Sequence, residues 1–545
     1  MTDPLSGPAA AGEVPSPPPA PRLALGGWSF YFIAKLLLFW RGLIGLHPLA
    51  NLAFLALLSL PVRSARLRTV RSIVAVPAAL SLLYYDSFLP PFSRLWTQAH
   101  LVGSFSPGYL AELAGRFIQW ELLALLVLVW VVCRVAASYL RLGVLTAAVL
   151  CAVGLQQFRA SQAEPTPALA AVAAQTAGAG AAPGDTPQLA LEQFFEREGH
   201  RSASFKPVAA NSTPFDLIFI HICSLSWDDL QTVGLDQHPL LKQADLLFHH
   251  FNSAASYSGP AAIRLMRGPC GQQSHSAIYD PPGDRCALMP GLEKAGFTQQ
   301  MAMNHDGHFD DFIGLLRKQG LSAAATPLAG VPAPLRAFDD SAVYDDGAML
   351  NRWATARASD SAARVALYYN TISLHDGNHF VTGANAGKDS SGTYRIRAAK
   401  LLDDIQQFMT QLERSGRRAV VVVVPEHGAA VRGDKMQMAG LRDIPTPALT
   451  NVPVAIKVLG PGAHALGGTV HVNDATSYLA LSHIVATMLD KPPFDAAGFA
   501  PSDYLAGLPL TPYVAENEGS TMLDYHGKYM LKIGSEPWQA YDPGR

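Results

Sequence analysis

A helical membrane domain of about five spans, followed by an α/β domain whose mostly parallel sheet is covered by helices on both faces, is the fold class this sequence predicts. Three observations predict it. Apolar runs of near-spanning length crowd into the part of the chain before residue 160. A stretch of Ala, Pro and Gly then breaks the pattern. Beyond it, β-branched and aromatic runs alternate with amphipathic stretches. At 545 residues the chain is too long for one ordinary domain. Its net charge of −2 gives no reason to expect a nucleic-acid partner.

Residues 1–24, rich in Pro, Ala and Gly, read as a disordered tail, too long and too poor in charge for a cleaved signal peptide. The helical domain, 25–158, holds candidate spans at about 27–46, 48–62, 71–88, 120–138 and 141–157. The second is short, and the first two alternatively form a re-entrant pair. Arg63, Arg66, Arg68 and Arg71 lie between spans two and three, and Arg134 and Arg141 near the junction of spans four and five. Positive loops stay cytoplasmic. Five crossings then put the amino terminus inside and everything after residue 158 in the periplasm. The expectation is a multi-pass protein of a bacterial inner membrane.

Residues 159–195 cannot bury a core and read as a linker. In the domain 196–545, the runs 215–223, 364–375, 417–428 and 452–460 suit buried central strands of a mostly parallel sheet. Amphipathic stretches at 309–319, 342–358, 393–414 and 476–490 suit its covering helices. In such a fold the active site lies at the carboxyl ends of the strands.

The chemically distinctive residues gather at those ends. Cys223 closes FDLIFIHIC, His375 closes the run ending TISLH, and Glu426 and His427 close VVVVPEH. Ser258 lies in FHHFNSAASYSGP, a loop opening into the helical stretch AAIRLMR. A thiolate, a carboxylate and an imidazole together suit zinc, with a position left open for chemistry. A serine hydroxyl beside that cation becomes a nucleophile, and helix-terminal N–H groups can hold phosphate oxygens. Each residue also has a plainer reading: Cys223 as core, Ser258 as an N-cap, Glu-His-Gly as a turn, His375 and His379 as loop residues. Convergence on one sheet edge favours the functional reading.

Of the five cysteines, Cys133 and Cys151 lie in apolar helices and read as small buried hydrophobes. Cys270 and Cys286 bracket a short loop and suit a local disulfide in an oxidising compartment, which leaves Cys223 unpaired. His249, His250, His275, His305 and His308 either approach the site or serve loops, with His305 the most open case.

These residues resemble a known layout. A metal-bound Ser or Thr after an early strand and an acid–His–Gly element after a late one are features of the alkaline phosphatase superfamily, so the α/β domain is expected to be alkaline-phosphatase-like. Membrane spans, a linker and a periplasmic domain are similar to the phosphoethanolamine transferases. The strings NSAASYSGPAAIRLMRGPCGQ, YYNTISLHDGNHF, NHDGHFDDF and VVVVPEHGAAVRGDKMQMAGLRDIPTP closely resemble the cellulose phosphoethanolamine transferases, the G subunits of bacterial cellulose-synthesis systems.

The resemblance implies zinc held by Cys223, Ser258, Glu426 and His427, with Ser258 as nucleophile. It further implies active-site roles for Tyr257, Arg442 and His375. Lipid A phosphoethanolamine transferases usually carry an acidic ligand, a Thr nucleophile and Asp-His-Gly where this chain has Cys223, Ser258 and Glu426-His427-Gly428. Those departures count against a lipid A acceptor. The implied reaction moves phosphoethanolamine from phosphatidylethanolamine to the glucose C6 hydroxyl of cellulose through a Ser258 adduct, with the cellulose synthase complex as partner. His375 would carry the proton, since an imidazole titrates near neutral pH, and Tyr257 and Arg442 would clamp phosphate oxygens. Two rivals are a sulfatase or phosphodiesterase of the same superfamily and a mainly structural synthase subunit. The sulfatase pattern needs an Arg that Ser258-Gly259-Pro260-Ala261-Ala262 lacks.

Overall fold

All four runs expected to be strands form strands, within three or four residues of the expected limits. Their Val, Ile, Phe and Tyr side chains suit a pleated surface buried on both sides. The computed structural model describes residues 27–42, 44–62, 64–87, 103, 105–117, 120–137, 139–162, 185–495 and 498–543. The expected tail 1–24, Arg63 and residues 163–184 of the expected linker lie outside them. The chain divides into two compact units, Met1–Leu89 with Phe117–Ala173 and Pro90–Arg116 with Ala174–Arg545.

In the first unit every expected span contains a helix: Trp28–Trp40, Pro48–Ser59, Ala65–Asp86, Trp120–Ala136 and Leu142–Gln162. About five crossings does not follow from them. Among the described residues one helix, Ala65–Asp86, is long and apolar enough to cross a membrane, or two if Pro107–Gly115 and Trp120–Ala136 count as one bent span. For the first two helices the physical reason is backbone, not composition. Gly42 takes a left-handed φ of 69° just past the first helix, and Pro48 opens the second. Helices of 13 and 12 residues reach roughly 20 Å, against about 30 Å of hydrocarbon. A buried polar knot ties three of these helices. Lys35 pairs with Asp86 and donates to Asn51 Oδ1 at 2.8 Å, while Asn51 Nδ2 donates to Asp86 Oδ2 at 2.8 Å. Charges so buried persist only when paired and hydrogen-bonded like this. Cys133 is buried as expected, but Cys151 faces outward.

The second unit is built on a seven-stranded sheet of order β10-β2-β9-β8-β1-β6-β3. Its strands are β1 Asp216–Ile222, β2 Leu246–Asn252, β3 Thr298–Met303, β6 Val365–Thr371, β8 Ala419–Pro425, β9 Asn451–Leu459 and β10 Val470–Val472. Short strands β4 Leu335–Arg336, β5 Ala342–Val343 and β7 His379–Phe380 form a small side sheet. β11 Val514–Asn517, β12 Ser520–Tyr525, β13 Lys528–Ile533 and β14 Gln539–Ala540 form an antiparallel sheet of their own. The main sheet is mostly parallel. β9, expected as a central strand of a mostly parallel sheet, runs antiparallel to both β2 and β8. A short helix, Pro447–Thr450, leads straight into it from the edge where β8 ends.

Alternate residues feed two separate cores. Leu217, Phe219, Tyr368, Val422 and Val424 belong to one, and Ile218, Ile220, Leu367, Val421 and Val423 to the other. The helix Ser258–Met266 contributes to the first, and Asp346–Ala358 and Ser390–Arg414 to the second. Both faces are therefore covered by helices.

Two boundaries differ from expectation. Residues 105–116, inside the expected helical domain, pack within the second unit: Ser106 N–H donates to Phe338 O at 2.8 Å and Tyr109 Oη to Asp376 Oδ2 at 3.0 Å. Part of the expected linker is helix, Pro187–Gly199, capped by Thr186, whose side chain accepts from Leu189 N–H.

Cys270 and Cys286 are disulfide-bonded across a separation of 16 residues, and Cys223 is free and buried. Closing a loop of that length stabilises the fold by about 3 kcal/mol in the chain-entropy model. Replacing both cysteines by Ser is expected to lower the urea-unfolding free energy by about that amount. Unchanged unfolding would mean the bond restrains nothing in the unfolded chain.

Candidate metal centre and nucleophile

Strand register and the two-residue period of strands build the site. Ile222, the last residue of β1, lies level with Thr371 of β6 on one side and Pro425 of β8 on the other. The residues just past those ends are therefore neighbours. Phe219, Tyr368 and Val424 share one core, so continuing each strand by twos puts His221, Cys223, Asn370 and Glu426 on that face. The helix covering it begins at Ser258.

The four residues expected to share a cation come together. Cys223 Sγ is 3.3 Å from Ser258 Oγ and 4.0 Å from His427 Nε2. Ser258 Oγ is 3.4 Å from that same nitrogen. The donor atoms of Cys223, Glu426 and His427 all lie within 4.8 Å of one another, and all three residues are buried. His427 Nδ1 donates to Gly428 O at 2.8 Å, which leaves the lone pair of Nε2 directed at the cluster.

The set fits a cation on chemical grounds. Burial pushes the Cys223 thiol up to about 12, with Glu426 adding to the rise. Burial also raises the Glu426 carboxyl and holds His427 well below the ordinary imidazole range. Burial in protein alone thus penalises both the thiolate and the carboxylate. Yet Glu426 Oε2 is buried without a hydrogen-bond partner, a cost of roughly 1–3 kcal/mol or more. A divalent cation removes both difficulties by stabilising thiolate and carboxylate together.

A hydrogen-bonded chain aims the carboxylate. Asn370 Nδ2 donates to Glu426 Oε1 at 2.7 Å, and Asn370 Oδ1 lies 2.8 Å from His305 Nε2. His305 Nδ1 accepts from Gly307 N–H at 3.1 Å, so Nε2 carries the proton given to Asn370. His305, left open by sequence, is the outer member of this chain. His221 Nδ1 lies 2.9 Å from the Tyr368 hydroxyl and 3.5 Å from Glu426 Oε1, and burial pushes it down to about 3, which makes it neutral. Sequence reasoning passed over Asn370 and His221. The available signal was a polar side chain inside an otherwise apolar strand: His221 two places before Cys223, and Asn370 level with His221 on the neighbouring strand.

The remaining expected residues surround the cluster. Desolvation disfavours the Arg442 charge, but Cys223 and Tyr257 outweigh it and raise the guanidinium overall. It lies over the Tyr257 ring at 5.6 Å and its Nη1 is 3.3 Å from Ser224 Oγ. Tyr257 Oη donates to Asp443 Oδ1 at 2.8 Å. His375 corrects an expectation. Burial, helped by Arg442, pushes it down to about 4, so it does not titrate near neutral pH but stays neutral there. Its Nδ1 donates to Asp376 O at 2.6 Å, which leaves Nε2 as a lone-pair base. His249 pairs with His471 at 2.9 Å, and His308 lies exposed beside Asp306.

Fold and site define a class: an α/β domain with a buried thiol–carboxylate–imidazole cluster and a serine at the carboxyl edge of its sheet. Family models described as the cellulose biosynthesis protein BcsG C-terminal and N-terminal domains match residues 171–538 and 28–155. The chain is 37% identical over 542 residues to the cellulose biosynthesis protein BcsG of Salmonella typhimurium, covering 95% of this chain and 96% of that one. With the protein of that name from Escherichia coli it is 38% identical over 547 residues, at the same coverage. The chain belongs to the BcsG family. Among solved structures, it is similar to an alkaline phosphatase superfamily protein from Vibrio parahaemolyticus (13% identity, 66% of this chain and 89% of that one, TM-score 0.47). It is also similar to the lipooligosaccharide phosphoethanolamine transferase EptA from Neisseria meningitidis (12% identity, 88% and 98%, TM-score 0.40).

Two outcomes are expected of this geometry. Zinc binding at pH 7 releases about one proton, from the Cys223 thiol, and Cys223→Ser lowers that release; calorimetry in two buffers of different ionisation enthalpy measures it. Asn370→Leu weakens zinc binding by roughly 10- to 100-fold through the freed Glu426 carboxylate, read by competition with a chelator.

Proposed function

We propose that this chain transfers phosphoethanolamine from phosphatidylethanolamine to glucose C6 hydroxyls of cellulose, through a covalent adduct on Ser258, at the outer face of a bacterial inner membrane. The observation that carries the reading is the Ser258 hydroxyl at the first residue of a helix, 3.3 Å from Cys223 Sγ and 3.4 Å from His427 Nε2. Membership of a family described as cellulose biosynthesis proteins supports the acceptor. The motif strings that resemble cellulose phosphoethanolamine transferases support the transferred group.

Zinc held by Cys223, Ser258, Glu426 and His427 would lower the proton affinity of the serine hydroxyl and offset phosphoryl charge. The chain's own residues do the rest. Ser258 Oγ forms a bond to phosphorus while the bond from phosphorus to the diacylglycerol oxygen breaks. The serine proton passes to neutral His375 Nε2 and on to that leaving oxygen. In the second half, a glucose C6 oxygen bonds to phosphorus, the Ser258 ester breaks, and the hydroxyl proton returns to Ser258. Arg442 offers a planar fork to phosphate oxygens, and the first N–H groups of the helix offer further donors.

Membrane attachment is supported by side chains that water would not favour. Val70, Ile73, Val74 and Leu80 on Ala65–Asp86, with Val127, Leu128 and Val131 on Trp120–Ala136, are exposed. An anchor there confines the chemistry to the surface that holds the lipid donor. In this reading the domain after residue 158 lies in the periplasm, and the cellulose synthase complex is the working partner.

Incubated with phosphatidylethanolamine and no acceptor, the protein is expected to gain one phosphoethanolamine on Ser258, read by peptide mass. Ser258→Ala is expected to lose the adduct and to lower transfer to cellulose by a factor on the order of 10³ or more. Persisting transfer by that variant would end the covalent mechanism. A reporter active only outside the cytoplasm, fused after residue 543, is expected to be active.

A further inference from the structure

Behind the nucleophile helix, in the second unit, lies a cavity that the proposed reaction does not use. Its volume is about 20 Å³, room for one water-sized occupant or at most two at roughly 10–15 Å³ each. Arg264 and Arg267, at the far end of the helix that starts with Ser258, line it. So do Gln272 of the disulfide loop, Thr511, and Tyr478 in the first turn of the helix Tyr478–Asp490.

Several polar atoms there have no partner. Arg264 is 4% exposed, and its Nη1 donates to Gln273 O at 2.9 Å. Its Nε and Nη2 have no partner, nor do the hydroxyls of Tyr478 and Thr511. Nε–H offers one hydrogen, Nη2 two, and each hydroxyl one. The acceptors left over are the two hydroxyl oxygens and Gln272 Oε1, whose own Nε2 is committed to Val514 O at 2.8 Å. A water makes about three hydrogen bonds in all and must donate some of them. It therefore accepts fewer of these hydrogens than an anion does, and it brings no charge to set against the buried guanidinium. A monatomic anion accepts from all of them, and one hydroxyl can turn to Gln272.

Charge points the same way. Neither Arg264 nor Arg267 has a carboxylate within 4 Å among the described residues. Arg267 is held by the Gln319 and Gln273 side chains and by the Ala277 and Asp280 carbonyls. Two acidic groups are near. Glu198, on the cavity wall, pairs with Arg201 and accepts from Gln272 N–H at 3.1 Å. Glu516 acts on Arg264 through space but accepts from His275 N–H at 2.6 Å. Burial still pulls the Arg264 guanidinium below its ordinary value despite Glu516. The first turn of Tyr478–Asp490 adds the positive end of a helix, and its N-cap Ser477 makes no side-chain cap.

We infer that this cavity is a binding site for a small monovalent anion of halide size, held by Arg264, Tyr478 and Thr511 against the helix that carries Ser258. Oxyanions such as phosphate are too large for it. The occupant bridges the nucleophile helix, the disulfide loop and the helix Tyr478–Asp490, so it fixes the far end of the element whose first residue is Ser258.

The test uses the full chain in detergent. Thermal unfolding is followed in sodium chloride and in sodium gluconate at equal ionic strength. Tm is expected to rise with chloride along a saturating curve and to stay flat with gluconate. Thr511→Val and Tyr478→Phe each remove one donor and are expected to move half-saturation to roughly 5- to 10-fold higher chloride. Arg264→Gln is expected to abolish the chloride increment, and the two milder variants carry the test if it fails to fold. Crystals grown in sodium bromide are expected to give an anomalous peak in the cavity. Equal Tm in both salts, half-saturation unmoved in Thr511→Val and Tyr478→Phe, or a water without anomalous signal would each overturn the inference.

Discussion

A thiol, a hydroxyl, a carboxylate and an imidazole crowd into one pocket of the second unit, and burial disfavours every charge they could carry. The Cys223 thiol and the Glu426 carboxyl are both pushed up, and one oxygen of Glu426 has no partner. Taken by itself the cluster is an expense to the fold. With a cation it becomes a mutually satisfied set, because one central charge stabilises every ionised donor at once. The surrounding architecture makes sense as the apparatus that keeps those donors within reach of each other.

That apparatus works at the backbone. Ser224, Ala254 and Ala430 hold positive φ values of 64°, 59° and 55°, each in a loop that follows a strand of the site. Left-handed backbone costs a non-glycine residue roughly 1–2 kcal/mol, so neighbouring contacts must hold it. Tyr394 Oη donates to Ser224 O at 2.7 Å, and Ala254 N–H donates to Asn252 Oδ1 at 2.9 Å. Asp229 gathers the N–H groups of Ser226, Ala429 and Val431. At Gly428 a Cβ would sit 2.7 Å from Ser226 Oγ and 2.8 Å from Asp229 Oδ2. Glycine there lets the chain leave β8 tightly enough for His427 to turn toward Cys223.

The Ser258 side is held from further away. Ser256 N–H donates to Asn517 Oδ1 at 3.2 Å, and Asn517 Nδ2 donates to Ser256 Oγ at 2.6 Å and to Arg442 O at 3.0 Å. One amide from the C-terminal antiparallel sheet thus fixes both the loop before the nucleophile and the backbone of the arginine that faces it. The small sheet is part of the site's support, although no side chain of it enters the cluster.

Much of this was legible in the chain itself. The long Val, Ile and Tyr runs had to be strands buried on both faces, and polar residues at their ends had to emerge at one edge. Cys223, Ser258, Glu426 and His427 could therefore be grouped from sequence, since a parallel sheet aligns its strand ends whatever the loops do. What only the tertiary structure decided depends on register and direction, to which local composition is blind. β9 carries the same apolar run whether parallel or antiparallel. The apolar stretch 27–62 reads as two spans until Gly42 and Pro48 divide it into short helices. Asn370, His305, Asn517 and Asp229 look like ordinary polar residues until folding brings partners from distant segments, because a hydrogen bond between them exists only once the chain between them has closed.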